Sequence, residues 1–394
     1  MRSEGRDRLV LLALWLMVLA SSSQVMIIAP ILPRIGEELS IAPALRGTLV
    51  TGFALSLSLF ALVIGPISDR VGRRPVLLAG TGAMTVALLL HPLAYDYTSM
   101  LAARIGSGVG AGLLTGSAIS YVGDYFPYQR RGWASGWVMS GFAVGQVVAI
   151  PAGTLLADRF GFHAPFLAFA VLMAGAFLLI LTVVPQPDVE RSSERLSIGS
   201  AFAGYMGLIR QPTILAAALA YATMFFAVSS FVVYFPTWAE VSLGMDAEDI
   251  ALLFVVGGIA SVLSGPQAGR LSDRLGRKPL ILVSCVGTAV LFAAVTFVVT
   301  RPLGAYVLIF LAMVLLALRL SPFQALLTAL VGDRQRGSLM SLVVSVGQLG
   351  GGLGAALAGP VYADVGFVGC TMLGAGAILG TAMLVAVRLP EPGL

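Results

Sequence analysis

The amino-acid sequence predicts an all-α membrane protein with twelve transmembrane helices in two pseudo-symmetric six-helix bundles. Three observations predict this fold class: a low charged fraction, twelve long apolar runs, and a charged loop that occurs twice. Of the 394 residues, 58% are hydrophobic and 11% are charged, and the mean hydropathy is +0.94. Because soluble domains carry about 25% charged residues, a soluble fold would lack the polar residues needed to cover its surface.

Each of the twelve apolar runs reaches the length of about 20 residues that a helix needs to cross a bilayer. The first run extends past Ile28, which exceeds the apolar stretch of about 7–15 residues in a signal peptide. We therefore expect it to stay in the mature chain as the first span. The predicted spans are 9–32, 44–67, 75–94, 98–122, 133–156, 164–184, 213–238, 249–268, 279–299, 303–328, 338–361 and 366–387.

A polar segment interrupts the apolar runs after the sixth span and separates two groups of six spans. It predicts three regions, which are an N-terminal bundle at 1–185, a cytoplasmic linker at 186–212 and a C-terminal bundle at 213–394. Within the linker, residues 197–210 are predicted to form a short helix on the membrane surface.

Arginine and lysine are distributed unevenly between the two sets of loops. Of the 24 Lys and Arg residues, 18 fall in the termini, the linker and the 2–3, 4–5, 8–9 and 10–11 loops, and four fall in the opposite loops. Cytoplasmic loops of membrane proteins carry the excess of basic residues. Both termini and the linker are therefore expected in the cytoplasm, which requires an even number of spans, and we expect the chain in the bacterial inner membrane.

The remaining reactive residues argue against several other classes of protein. Cys285 and Cys370 lie in apolar runs, and His91 and His163 have no partner at metal-ligand spacing, so neither a disulfide framework nor a metal site is predicted. The net charge of +5 is explained by topology, and a single lysine without a basic stripe argues against a nucleic-acid partner. No nucleotide-binding Gly-x-x-x-x-Gly-Lys loop or nucleophile–base pair supports a membrane enzyme or sensor, and we expect no cofactor.

One charged loop occurs twice in the sequence. The loop after span 2 reads Gly-Pro-Ile-Ser-Asp-Arg-Val-Gly-Arg-Arg-Pro over 65–75, and the loop after span 8 reads Gly-Arg-Leu-Ser-Asp-Arg-Leu-Gly-Arg-Lys-Pro over 269–279, an offset of 204. A second pair, Gly-Asp…Arg-Gly, closes spans 4 and 10 over 123–132 and 332–337, with the Arg-Gly offset by 205. Matched loops in register with the spans indicate an internal duplication, which is typical of secondary transporters.

Asp69 and Asp273 are the informative residues of the duplicated loop, because holding a loop at a membrane surface needs no acid. Gly72 and Gly276 permit a tight reversal, and the proline three residues later suits the first turn of the next helix. Two interpretations remain open. The loop is a solvated turn whose charges only set topology, or its acids accept bonds from a nearby arginine or helix N-terminus and latch one state of an alternating-access cycle.

The duplicated loop resembles the loop 2–3 signature of the major facilitator superfamily. Span 4 reads Arg-Ile-Gly-Ser-Gly-Val-Gly-Ala-Gly over 104–112, which resembles that superfamily's Arg-x-x-x-Gly-x-Gly pattern. The glycines and proline of span 5 partly resemble its antiporter motif. The sequence Pro-Ile-Leu-Pro over 30–33 is similar to the twelve-span drug:proton antiporter type.

This resemblance implies a cytoplasmic gate in which Asp124 is a partner of Asp69 and Arg73. The corresponding residues of the second half would play the same roles. The gating residues predicted in this way are Asp69, Arg70, Arg73, Asp124, Asp273, Arg274, Arg277 and Asp333.

Arg104 and Arg319 lie inside predicted spans, where ionisable side chains are expensive and usually functional. Arg104 is either a structural residue satisfied by backbone carbonyls, tyrosine or serine, or a residue of coupling or substrate contact. Arg319 lies about 24 Å along span 10 at about 1.5 Å per residue, past the midplane. It should face either a cavity or a packed helix, and we expect the cavity.

No aspartate or glutamate lies clearly in the middle of a predicted span. Many proton-coupled relatives in the superfamily carry an acid in span 1, whereas this sequence has Ser-Ser-Ser-Gln-Val-Met over 21–26, with Gln24 as a candidate substrate contact. This departure argues against proton coupling by the usual route. A cavity with two arginines would suit an anionic or zwitterionic group better than a lipophilic cation.

Span 7 carries seven aromatic residues, which either line a pocket for an amphipathic ligand or pack and anchor the helix at the interface. Tyr221 and Phe225 are the candidates for ligand contact. Span 11 is rich in glycine from Gly347 to Gly359, and its small residues predict close helix approach rather than ligand chemistry.

These features lead to two transport hypotheses. The leading one is a secondary active transporter that moves an amphipathic small organic solute outwards by proton antiport, with alternating access to a site between spans 1, 4, 7 and 10. The alternative is a facilitator, importer or lipid carrier for an anionic or zwitterionic substrate held by the intramembrane arginines. In either case the expected partners are a small-molecule or lipid-like substrate and the lipid bilayer, and we expect a monomer.

Overall fold

The computed structural model describes residues 4–187, 198–331 and 333–391. Within these ranges the side chains at 65–66, 69, 128, 198–203, 273, 328 and 333–336 are not described. The fold is 89% helical, and the described ranges hold no strand. The prediction of an all-α fold is therefore confirmed.

The described ranges contain eighteen α-helices. In chain order they are α1 (Glu4–Met26), α2 (Ile28–Glu38), α3 (Pro43–Arg46), α4 (Thr48–Val71), α5 (Arg73–Leu90), α6 (Tyr97–Leu114), α7 (Ser117–Tyr125), α8 (Tyr128–Val144), α9 (Ile150–Phe160), α10 (His163–Thr182), α11 (Ile198–Ile209), α12 (Pro212–Val232), α13 (Phe235–Leu243), α14 (Ala247–Leu275), α15 (Arg277–Val298), α16 (Pro302–Ala329), α17 (Asp333–Val365) and α18 (Phe367–Arg388).

Twelve stretches of the described helices are long and apolar enough to cross a membrane, which confirms the predicted number. Four of them join two helices into one span, namely α3 with α4, α6 with α7, α8 with α9, and α12 with α13. The twelve stretches are Glu4–Met26, Pro43–Ile64, Arg73–Leu93, Tyr97–Tyr125, Gln129–Phe160, His163–Thr182, Pro212–Leu243, Ala247–Ser272, Arg277–Val298, Pro302–Leu327, Gly337–Val365 and Phe367–Arg388.

The first helical run is longer than the sequence predicts. α1 begins at Glu4 rather than at residue 9, and α2 continues to Glu38 rather than ending at residue 32. Near the end of α2, Arg34 Nε donates to Glu38 Oε1 at 2.9 Å, and such pairs one turn apart stabilise exposed helix surfaces. Hydropathy detects only the apolar part of a helix, so it misses these polar extensions.

The segments Met1–Ser40 and Leu55–Ala201 form a first compact unit. In it, α1 packs against α8 and α10, and α5 packs against α6 and α10. The backbones of α1 and α8 approach closely at Gly141, where an added Cβ atom would lie 2.8 Å from the carbonyl oxygen of Trp15. A side chain at this position would push the two helices apart.

The segments Ile41–Ala54 and Phe202–Leu394 form a second compact unit. In it, α12 packs against α17 and α18, while α15 packs against α16 and α18. Tyr234 anchors the first of these segments, because its hydroxyl donates to Pro43 O at 2.8 Å and accepts from Gly47 N at 3.0 Å. Hydropathy groups residues 41–54 with the N-terminal bundle because such distant contacts are not visible in the apolar runs.

Two glycines of α17 lie directly against the backbone of α12. A Cβ atom at Gly350 would lie 2.2 Å from Ala222 O, and one at Gly354 would lie 2.4 Å from Phe226 O. Only glycine allows this distance between the helices, which confirms the close approach predicted for span 11.

The short helix predicted in the linker is α11, which covers Ile198–Ile209. The part of the linker at 188–197 lies outside the described residues. The placement of α11 on the membrane surface stays a prediction.

Candidate functional site

Arg104 lies in the third turn of α6, and a capped helix N-terminus fixes its position. Asp96 Oδ1 accepts from Ser99 N at 2.8 Å, and Ser99 Oγ accepts from Asp96 N at 3.1 Å. This reciprocal pair is a capping box, which satisfies two backbone donors at the helix start. Arg104 itself has no exposed surface.

Arg104 and Gln24 are in contact in the structure. From the sequence, each was predicted separately as a substrate contact. Arg104 Nη1 donates to Gln24 Oε1 at 3.0 Å and to Gln24 O at 3.5 Å. Gln24 is also fully buried. Both bonds end on oxygen atoms of Gln24 and fix the orientation of the guanidinium.

His91 and Ser107 complete a buried polar group around Arg104. Ser107 lies about one turn along α6 from Arg104, on the same helix face, and the short 3-10 helix His91–Leu93 packs against α6. Both side chains are fully buried. We call Gln24, His91, Arg104 and Ser107 the Arg104 cluster.

The His91 ring is held in one orientation. Its Nδ1 lies 2.8 Å from Ala87 O, and because a carbonyl only accepts, Nδ1 carries the hydrogen and Nε2 is left as an acceptor. The ring stacks on Phe166 with centroids 4.0 Å apart. The sequence analysis missed this residue, although a histidine at the end of an apolar span is a visible signal.

Outside Arg104 itself, three polar atoms of the Arg104 cluster have no hydrogen-bond partner in the described part of the chain. They are Gln24 Nε2, His91 Nε2 and Ser107 Oγ. Leaving a buried donor or acceptor unsatisfied costs about 1–3 kcal/mol. Two of the atoms can donate beside a guanidinium, so the cluster suits a ligand group with oxygen acceptors.

Arg319 lies against a packed helix, and its role as a substrate contact stays a prediction. It is 1% exposed, and its Nη1 donates to Thr288 Oγ1 at 3.1 Å and to Ser284 Oγ at 3.4 Å. Both hydroxyls belong to α15 and lie one turn apart. They give the guanidinium a partner inside the protein without a ligand.

We expect Arg319→Met to leave the affinity for a transported solute unchanged. Methionine can replace the side chain in a packed interior, and replacing a buried charge by an apolar group of similar volume is often tolerated. Solute binding to the purified variant checks this. A large loss of affinity at an unchanged unfolding temperature would return Arg319 to the substrate site.

Tyr221 and Phe225 pack within the second unit. The Tyr221 ring is 3% exposed and lies 5.0 Å from the Phe225 ring and 5.7 Å from the Phe323 ring. Gly347 lies directly against Tyr221. These contacts match the packing interpretation of span 7, and a ligand role for the two rings stays a prediction.

The first copy of the duplicated loop is closed by an ion pair. Gly72 has a φ of +107°, which confirms the tight reversal, and Arg73 begins α5. Arg73 Nε donates to Asp124 Oδ2 at 2.6 Å, and Arg73 Nη1 donates to Ser68 Oγ at 3.0 Å. The contact implied between Arg73 and Asp124 is therefore formed.

The second copy of the loop has the same backbone and a different arginine contact. Gly276 has a φ of +93°, and Arg277 Nη1 donates to Ala325 O at 3.0 Å. Arg70 and Arg274 lie in the last turns of α4 and α14, where a cation interacts favourably with the helix dipole. The side chains of Asp69, Asp273 and Asp333 lie outside the described residues.

Two residues that the sequence analysis missed cap the helices after these loops. Gln186 Oε1 accepts from Arg74 N at 3.0 Å. Glu391 accepts from Arg277 N and Lys278 N, each at 2.8 Å. Both residues lie between two prolines, in Pro-Gln-Pro at 185–187 and Pro-Glu-Pro at 390–392. These motifs are again 205 residues apart, so the repeat is visible in the sequence.

Twelve spans, a duplicated charged loop and a buried cationic cluster define a membrane transport protein. The chain belongs to the Major Facilitator Superfamily, whose family model matches residues 14–355 and, in a second overlapping match, 241–393. It is therefore an integral membrane transporter rather than an enzyme.

The chain is similar to several members of this superfamily. It is 25% identical over 339 residues to the uncharacterized MFS-type transporter YceJ of Bacillus subtilis, covering 85% of each chain. It is 25% identical over 388 residues to the multidrug resistance protein MdtG of Klebsiella pneumoniae, covering 96% of this chain and 93% of MdtG. The crystal structure of a D-xylose-proton symporter has the same fold, with a TM-score of 0.81 at 15% identity over 99% of both chains.

Proposed function

We propose that this transporter moves a small amphipathic organic solute with a carboxylate or another strong acceptor group by alternating access. The observation that carries the proposal is the Arg104 cluster. Its guanidinium is fully buried and bonded to Gln24 Oε1, beside three polar atoms without a partner in the described residues. The acceptor group of the solute would bind there.

The physical reason is the free energy of burying a cation. A charged side chain inside a membrane span is expensive and usually faces a functional site. An anionic oxygen would balance the charge of Arg104 and accept from Gln24 Nε2 and Ser107 Oγ. A lipophilic cation would meet electrostatic repulsion at the same place.

The second candidate function is efflux by proton antiport, the leading hypothesis from the sequence. What favours it is the similarity to MdtG, a multidrug resistance protein. In either case we propose that both termini lie in the cytoplasm, since the loops on that side carry most of the arginines.

Counterflow in proteoliposomes tests the proposal. The solutes should be matched amphiphiles of one size that carry a carboxylate, an amide or an amine. We expect the carboxylate to exchange fastest. Preference for the amine, with efflux driven by an outside-acidic gradient, would instead support proton antiport.

Asp124→Asn tests the proposed gating role of the first loop. The Arg73–Asp124 pair is short and its side chains are only 18% and 25% exposed, and a hydrogen bond between charged groups is worth about 1.5–3 kcal/mol. If the pair forms in one state of the cycle, its loss should shift the population between states about tenfold or more, since about 1.4 kcal/mol is a factor of ten. Spin-label distances across the loop measure this.

Asp158→Asn is the matched control for the gating test. Asp158 is 51% exposed and lies 3.6 Å from Arg34, a weak surface pair. We expect no shift from this variant. Equal distance distributions for wild type and Asp124→Asn would rule out the gating role.

A further inference from the structure

A groove of about 460 Å³ lies on the surface of the first unit between α1 and α8. Its size falls in the range of about 300–1,000 Å³ that is usual for small-molecule sites. The groove is at the end of the unit where both helices begin, so it faces one leaflet of the bilayer. Its walls are Arg8, Leu11, Leu12, Trp15, Trp133 and Trp137.

Tryptophan is concentrated in this groove. Three of the four tryptophans of the chain line it. Trp133 is 53% exposed and Trp137 is 55% exposed, so about half of each residue remains accessible to a ligand. Tryptophan prefers the head-group level of a membrane because its ring is amphipathic, with a polar edge and an apolar face.

The two helices that form the groove have the same order of residues at this end. On α1, Arg8 precedes Trp15 by seven residues, and on α8, Arg130 precedes Trp137 by seven residues. At about 1.5 Å per residue, each arginine lies about 10 Å nearer the membrane surface than its tryptophan. The groove therefore runs from a cationic mouth to an apolar interior.

The mouth of the groove carries net positive charge. Arg8 is exposed and makes no hydrogen bond or ion pair within the described ranges. Arg130 lies over the Trp133 ring, with its guanidinium carbon 5.3 Å from the ring centroid. Its Nη1 lies 3.4 Å from Asp7 Oδ2. Asp7 also accepts from Tyr125, so its carboxylate offsets the charge of Arg130 and leaves that of Arg8.

We propose that this groove binds an anionic phospholipid from the leaflet that surrounds it. The phosphate lies at Arg8 and Arg130, and an acyl chain lies along Trp15, Trp133 and Trp137. Basic pockets between transmembrane helices bind anionic lipid head groups in this way. The apolar interior argues against a free anion, and the net positive mouth argues against a zwitterionic lipid.

Tryptophan fluorescence tests this site, because the groove holds all tryptophans except Trp238. The protein with Trp238→Phe is placed in vesicles that contain either phosphatidylglycerol or phosphatidylcholine with brominated acyl chains, which quench nearby tryptophan. We expect stronger quenching by the brominated phosphatidylglycerol at equal mole fraction. If Trp238→Phe fails to fold, the wild-type chain gives the same comparison over a constant background.

Arg8→Gln identifies the head-group contact. One arginine near an anionic surface changes the affinity about fivefold, so the preference for phosphatidylglycerol should fall by about that factor. Arg270→Gln is the control, because Arg270 is an exposed arginine of the second unit and its loss changes the net charge equally. The unfolding temperature of both variants should match that of wild type.

Three results would overturn the proposal. They are equal quenching by the two lipids in the wild-type chain, an equal loss of preference in Arg8→Gln and Arg270→Gln, and displacement of the brominated lipid by inorganic phosphate alone. The second result would mean a general surface potential, and the third would mean a simple anion site.

Discussion

Arg104→Gln should abolish saturable transport in proteoliposomes. The substitution removes the buried guanidinium that we propose as the partner of the solute and leaves an uncharged amide beside Gln24. Removing one partner of a buried, hydrogen-bonded charge pair costs about 2–5 kcal/mol, so the affinity should fall at least about thirtyfold. Equilibrium binding of a transported solute to the purified variant measures this loss.

Two further variants separate recognition from general damage. Arg104→Lys keeps the positive charge but loses the planar fork of donors, so we expect intermediate binding. Arg301→Gln removes an exposed arginine outside the cluster and should bind like wild type. Wild-type affinity in Arg104→Gln, with an unchanged unfolding temperature, would reject the Arg104 cluster as the substrate site.

Gly350→Ala should destabilise the second unit. Its new Cβ atom would lie 2.2 Å from Ala222 O and 2.8 Å from Ala222 Cα. These are backbone atoms, so no side-chain rotation relieves the clash and α12 and α17 must separate. Overpacking of this kind costs about 1–3 kcal/mol, which exceeds the gain of up to about 1 kcal/mol from the better helix propensity of alanine.

Gly351→Ala is the matched control, one residue further along α17. Its Cβ atom would meet nothing nearer than Phe225 at 3.8 Å, an ordinary contact. We expect this variant to unfold at the same temperature as wild type or slightly above it, and Gly350→Ala to unfold lower. Identical unfolding temperatures for the two variants would show that the helices are not in close contact at Gly350.

The spans could be predicted from the sequence because each depends on local hydropathy. The ion pair between Arg73 and Asp124 could also be predicted, since the charged loops are duplicated and resemble a known family. In contrast, the polar extensions of α1 and α2 have no hydropathy signal. Their helical state depends on side-chain pairs such as Arg34 with Glu38.

The direction of Arg319 could not be predicted because it depends on the rotation of α16 against α15. Hydropathy predicts how deep the residue lies in the membrane. It does not predict which neighbouring helix its side chain contacts. Ser284 and Thr288 decide the direction, and they lie more than thirty residues away in the sequence. A buried arginine and a hydroxyl pair one turn apart on a neighbouring helix form a pattern that only tertiary structure brings together.

The contacts within the Arg104 cluster also could not be predicted from the sequence. Sequence reasoning identified Arg104 and Gln24 individually, each as an exception in an apolar span. It did not place them within hydrogen-bond distance, and it missed His91. In contrast, Gln186 and Glu391 were missed although their flanking prolines repeat at the offset of the duplicated loops. That repeat was available from the sequence alone.

The central claim is that Arg104 binds the acceptor group of the solute. The most direct test measures the dissociation constants of a transported carboxylate and of its neutral amide, for wild type and for Arg104→Gln. We predict that wild type prefers the carboxylate and that Arg104→Gln loses this preference because the charge it recognises is gone. An equal preference for the carboxylate in both proteins would contradict the account.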